Sequence, residues 1–111
     1  MKEWAVVQQR YQQDQPAIRL GGLASNLHRL AWCAQRANHE AAIALFRESK
    51  FFTEWAAPDC RFDQQVLLAE LQLRLALWER GWGGRLTLAA IAEEAQHWAT
   101  KLLKVAGLVT E

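Results

Sequence analysis

The segment VLLAELQLRLALW, residues 66–78, constrains the fold more than any other part of the chain. Leucine and alanine favour helix, and the segment lacks the strict polar–apolar alternation that would indicate a strand. A helix that is apolar on most of its circumference must be buried on most sides. The segment therefore predicts a central helix or a subunit interface. In helical projection its apolar residues form two stripes, one of Val66, Ala69, Leu73, Ala76 and Leu77, and one of Leu67, Leu71, Leu75 and Trp78.

Proline, glycine and asparagine divide the rest of the chain into further helical segments. Short connections between such segments favour antiparallel neighbours. We therefore predict an all-α fold, an antiparallel bundle of four principal helices in a single domain, residues 1–111. The principal helices are predicted at roughly residues 16–37, 39–57, 60–80 and 87–106, with an N-terminal helix over residues 3–14 that is continuous with the first or kinked from it.

The predicted helix ends follow from residue types that cap helices. Gly107 ends the last helix, and Leu108 is expected to fold back on it. The expected N-caps are Asp14, Asn38, Asp59 or Asp63, and Thr87, while Gly81 is the expected left-handed C-cap of the third principal helix.

Gly21 and Gly22 lie inside an otherwise regular heptad-like seam that begins at Leu20. Each glycine weakens a helix interior by about 1 kcal/mol relative to alanine. Two explanations are open at this point, close packing of the backbone against a neighbour or a partial break in the helix. We favour close packing.

Charge and composition exclude several classes of protein. Thirteen basic and twelve acidic residues give a net charge of +1, so we expect no nucleic-acid partner. No apolar run is long enough to span a bilayer, and the first residues contain no signal-peptide core, which predicts no membrane partner and a cytoplasmic location. Cys33 and Cys60 form no metal-binding or disulfide pattern, and we expect both to be reduced.

No catalytic, cofactor-binding or metal-binding motif is present in the sequence. His39–Glu40 is followed by Ile43 where a zinc-binding HExxH motif needs its second histidine. The glycine-rich loop GWGGR, residues 81–85, lacks the preceding strand and the following lysine of a phosphate-binding loop. We predict a protein that is not an enzyme and that uses no cofactor.

Six tryptophans in 111 residues exceed what one small core easily absorbs. Tryptophan is common at binding hot spots, because its large ring is apolar and its N–H seeks a partner. The segment ESKFFTEW, residues 48–55, places Phe51 and Trp55 on a second stripe beside that of Phe46 and Phe52. The predicted interface comprises Phe51, Trp55, Leu67, Leu71, Leu75 and Trp78.

Four phrases of the chain, AIRLGGLASNLHRLAWCAQ, ESKFFTEWAAPD, LAELQLRLALWERGW and HWATKLLKVAGL, resemble small all-helical proteins of cyanobacteria. The resemblance implies a cytosolic helical protein and assigns no functional residue. The surplus apolar surface of residues 66–78 and the surplus tryptophan, without any catalytic constellation, lead us to predict a non-enzymatic protein–protein interaction module with a regulatory or scaffolding role, most simply a homodimer. The alternative is a helical bundle that binds a small apolar ligand between its helices.

Overall fold

The computed structural model describes residues 3–109. These residues contain five α-helices and one short 3₁₀ turn. No strand forms among these residues, so the all-α prediction is confirmed, and the principal helices end within two residues of their predicted limits. The helices are α1 (Trp4–Gln13), α2 (Pro16–Gln35), α3 (His39–Ala56), α4 (Phe62–Gly81) and α5 (Leu88–Val105), with the 3₁₀ turn Ala57–Asp59 between α3 and α4.

Two of the predicted N-caps are confirmed. The Asn38 side chain accepts a hydrogen bond from the Ala41 amide (3.2 Å), and the Thr87 hydroxyl accepts one from the Ala90 amide (3.1 Å). The others are wrong. Gln15, not Asp14, precedes Pro16 as the cap of α2.

The N-cap residue of α4 is also not one of the two predicted aspartates. Arg61 is the N-cap residue, and its amide donates to the Gln64 side chain at 3.0 Å. A glutamine that reaches back in this way satisfies an amide that the helix leaves unpaired. Asp59 lies in the 3₁₀ turn instead, and Asp63 lies in the first turn of α4.

Helix C-termini show where left-handed backbone is used. Gly107 has φ +75°, and the Leu108 amide donates to the Leu103 carbonyl at 3.0 Å, which confirms the predicted fold-back. Gly81 is the last residue of α4, and the left-handed glycine that follows is Gly83, with φ +67°, so the cap predicted at Gly81 is wrong.

The N-terminal helix is separate from the first principal helix, since α1 ends at Gln13 and α2 begins at Pro16. Helix α2 then passes through both glycines without a break. A Cβ atom at Gly21 would lie only 2.7 Å from Leu108 Cδ1, so close packing is confirmed there. At Gly22 a Cβ would meet Tyr11 Cε1 at 3.7 Å, which is an ordinary contact.

Helix α2 forms the centre of the core and packs most extensively on α5 and α3. Its inward leucines are fully buried; they are Leu20, Leu23, Leu27 and Leu30. Hydrogen bonds from side chains also link consecutive helices. Asn26 on α2 donates to Glu48 on α3 (3.1 Å), and Gln64 at the start of α4 donates to the carbonyl of Val105 at the end of α5 (3.2 Å).

Helix α4 lies at the edge of the molecule, and one of its faces packs on α3 and α5. The Cα trace measures 38 × 35 × 20 Å. Packed helix axes lie about 8–10 Å apart, so the short dimension accommodates about two layers of helices. A helix at the edge of such a slab keeps one side open.

Candidate interaction surface

The surface patch predicted on α4 is wrong for three of its residues. Leu71, Leu75 and Trp78 are completely buried in the chain's own core. They share the inner side of α4 with Leu68 and Gln64, which are also buried. The two apolar stripes of this helix lie on opposite sides of its axis, and the stripe that we had assigned to a second chain is the one that the core takes.

The remaining residues of that patch are partly covered within the chain. Leu67 is half-buried. The ring centroids of Phe51 and Trp55 stack 5.2 Å apart, and Trp4 of α1 lies 4.7 Å from Phe51. The second stripe of α3 is thus covered in part by the N-terminal helix. A role for these three residues in an interface stays a prediction.

The other stripe of α4 faces outward. The exposed fractions of its large side chains are 78% for Phe62, 44% for Val66, 63% for Leu73 and 44% for Leu77. Phe62, one turn before Val66, extends this stripe, and Ala69 and Ala76 on the same side are also exposed. We call the four large residues, Phe62, Val66, Leu73 and Leu77, together with the central Ala69, the outer stripe. Phe62 and Leu77 are 15 residues apart, so the stripe runs for about 22 Å along the helix.

The outer stripe is the main concentration of exposed apolar side chains on the described part of the chain. Other large exposed apolar residues lie apart from it; they are Val6, Ile18, Trp32, Ile43, Leu108 and Val109. Single exposed apolar residues are normal on a soluble protein, whereas a continuous apolar strip marks an interaction surface.

Charged residues line one border of the outer stripe. Helical projection places Asp63, Glu70 and Arg74 along that border, and all three are exposed. A hydrogen bond from Arg61 holds the pKa of the Asp63 carboxyl below its usual value. Arg74 lies 3.7 Å from Glu94 of α5. The opposite border carries the amides Gln65 and Gln72, so the stripe has an acidic beginning and a basic end on one side only.

A second surface feature is a groove of about 620 Å³ between α2 and α3. Trp32, Cys33, Ala41 and Leu45 form its apolar lining, and Ser25, His28 and Arg29 complete it. Trp32 is half-exposed, and the guanidinium of Arg36 lies 4.0 Å from the centre of its ring.

The glycine-rich loop is anchored rather than free. Trp82 packs edge-on against Phe46 at 5.7 Å, and its indole N–H donates to His39 Nδ1 at 2.5 Å.

Trp98 is also nearly buried. The indole N–H of Trp78 and the hydroxyl of Ser49 are buried, with no hydrogen-bond partner in the described part of the chain. The tryptophans thus divide between core and surface.

The described residues contain no cluster of three or more histidine, cysteine or acidic side chains that could hold a metal ion. Cys33 and Cys60 are both free thiols, and burial raises the pKa of each. Within residues 3–109, no helix is both long enough and apolar enough to cross a membrane. The absence of catalysis stays a prediction.

Comparison with protein-family models, with curated proteins and with solved structures found no match for this chain.

Proposed function

We propose that this chain is a non-enzymatic interaction module that forms a homodimer through the outer stripe of α4, in a regulatory or scaffolding role. The observation that carries the proposal is the exposure of four large apolar side chains in one line. Burial of each such side chain stabilises a protein by about 1.5–3 kcal/mol relative to exposure. No other helix of residues 3–109 covers this line.

The buried face of α4 strengthens the proposal. Leu71, Leu75 and Trp78 fix the inner side of the helix against the core. The helix therefore cannot turn its outer stripe inward without exposing a larger apolar face. A docked partner is the remaining way to remove the stripe from water.

The test is the oligomeric state of Val66→Glu/Leu73→Glu, measured by sedimentation equilibrium beside circular dichroism. We expect the unmodified chain to be dimeric at micromolar concentration. The variant should be monomeric and equally helical, because both changed positions are exposed in the single chain. Two buried glutamates in a dimer interface would each lack a partner, which is strongly unfavourable.

The matched control is Ile18→Glu/Ile43→Glu. These two isoleucines are also exposed, at 51% and 59%, but lie on α2 and α3 away from the outer stripe. The control should remain a dimer. A monomeric unmodified chain would refute the proposal, and so would loss of the dimer in the control alone.

The groove beside Trp32 favours a second candidate function, the binding of a small apolar ligand. Its lining is mostly apolar, and its volume lies in the range of ligand pockets, about 300–1,000 Å³. The probe is the dye anilinonaphthalene sulfonate. Trp32→Ala should lower its fluorescence and Val66→Glu/Leu73→Glu should not; the reverse result would exclude the groove.

A further inference from the structure

The outer stripe has nearly the same pattern when it is read from either end. Phe62 and Leu77 form its ends, Val66 and Leu73 come next, and Ala69 lies in the middle. The two outer pairs, 62 with 77 and 66 with 73, have the same midpoint, which lies just after residue 69. A surface that is complementary to its own reversed copy is what a two-fold symmetric interface requires.

The geometry points to an antiparallel pair of α4 helices, related by a two-fold axis that passes beside Ala69; this inference rests on the proposed homodimer. In that arrangement Phe62 packs on the partner's Leu77, and Val66 packs on the partner's Leu73. Ala69 faces the partner's Ala69. A small residue at the axis allows the two helices to approach toward the short end of the range of about 8–10 Å between axes.

Charge selects the antiparallel direction over the parallel one. Two antiparallel helices bring the same border together, so Asp63 lies opposite the partner's Arg74. A parallel pair brings opposite borders together, so Asp63 would face the partner's Gln65, and Arg74 the partner's Gln72, with no ion pair. Opposite charges in facing positions are favourable, so the antiparallel pair gains an ion pair that the parallel pair lacks.

The polar border and the helix dipoles agree with this direction. Gln65 lies opposite the partner's Gln72 in the antiparallel pair; its amide nitrogen donates to the Ala57 carbonyl of its own chain at 2.8 Å, and its carbonyl oxygen can accept from the partner's Gln72. The positive end of each helix dipole also lies beside the negative end of the other. Glu70 is the exception, since it lies near the axis beside its own copy, and Arg74 of its own helix is four residues away.

The test uses engineered cysteines in a Cys60→Ser background, which leaves the buried Cys33 as the remaining native thiol. Disulfides form only between Cα atoms within about 7 Å of each other. Under mild oxidation with glutathione, Ala69→Cys should cross-link to its own copy. Phe62→Cys and Leu77→Cys should each stay uncross-linked alone, and a mixture of the two should cross-link.

Gln35→Cys serves as the control, because Gln35 is exposed at the end of α2, which packs mainly on α5 and α3 rather than on α4. It should stay uncross-linked. A Phe62→Cys chain that cross-links to itself would overturn the antiparallel inference and leave the α4 homodimer intact. A dimer in sedimentation with no cross-link at Ala69 or in the mixture would place the interface elsewhere, and a monomer in sedimentation would refute both proposals.

Discussion

Tyr11 shows how single residues attach the N-terminal helix to the core. Its ring stacks on Phe52 with centroids 3.9 Å apart, and its hydroxyl donates to the Arg19 carbonyl at 2.6 Å. The Arg19 guanidinium is itself buried, donating to the Asp14 carbonyl at 2.9 Å and pairing with Asp59 at 2.5 Å. These contacts join α1, α2 and the 3₁₀ turn.

This arrangement predicts an alkaline transition. Burial raises the pKa of Tyr11 far above its ordinary value, an effect that the nearby Arg19 charge reduces only in part. The folded chain therefore keeps the phenolic proton at a pH where the unfolded chain has lost it. Stability contributed by this group is present below about pH 10 and declines above it, by up to about 1.4 kcal/mol per pH unit.

Tyr11 is the only tyrosine of the chain, so tyrosinate absorbance reports its titration alone. We expect tyrosinate absorbance to appear only as the chain unfolds. The free energy of unfolding, measured from about pH 9 to about pH 11.5, should decline over the same range. Tyr11→Phe keeps the ring stack and should lose that part of the pH dependence. A tyrosinate that forms near pH 10 in the fully folded chain would contradict the account.

At the scale of the element, α4 shows what the sequence could predict and what it could not. The two apolar stripes are evident from spacing alone, as are the helix limits. Which stripe faces the core depends on the neighbours that the fold provides. One signal was available, because Arg80 continues the line of Val66 and Leu73 and indicates that this side faces solvent.

The helix ends likewise include some that the sequence predicts and some that it does not. Asn38 and Thr87 cap their helices through their own side chains, a local interaction that residue type predicts. The start of α4 depends on the Gln64 side chain reaching back to the Arg61 amide, and arginine is not a residue that indicates an N-cap. The sequence therefore predicted the helix but placed its cap at the wrong residue.

Two leucines on opposite sides of α4 test its orientation. Leu71→Ala should lower the free energy of unfolding by about 2–5 kcal/mol, because it leaves a cavity in a packed core. Leu73→Ala, at a position 63% exposed, should change it little. Denaturant unfolding of both variants at protein concentrations where the chain is monomeric measures the difference. Equal losses, or a larger loss for Leu73→Ala, would show that the helix is oriented differently.

At the scale of the whole molecule, the all-α architecture was predictable because local periodicity and capping determine it. The place of each helix in the core was not. Helix α2 is the central one: it packs on α3 and α5, and the hydrogen bond from Tyr11 to the Arg19 carbonyl ties it to α1. The segment that is apolar on most sides, α4, lies at the edge, which leaves its outer stripe open.

The central claim is that a second copy of the chain covers this outer stripe. The most direct measurement is an isotope-filtered nuclear Overhauser experiment on a mixture of labelled and unlabelled chains, which detects contacts between protomers alone. We expect cross-peaks between the methyl groups of Val66 and the partner's Leu73, and between the Phe62 ring and the partner's Leu77. The absence of cross-peaks between protomers, or cross-peaks that arise from Leu71 and Leu75 instead, would contradict the account.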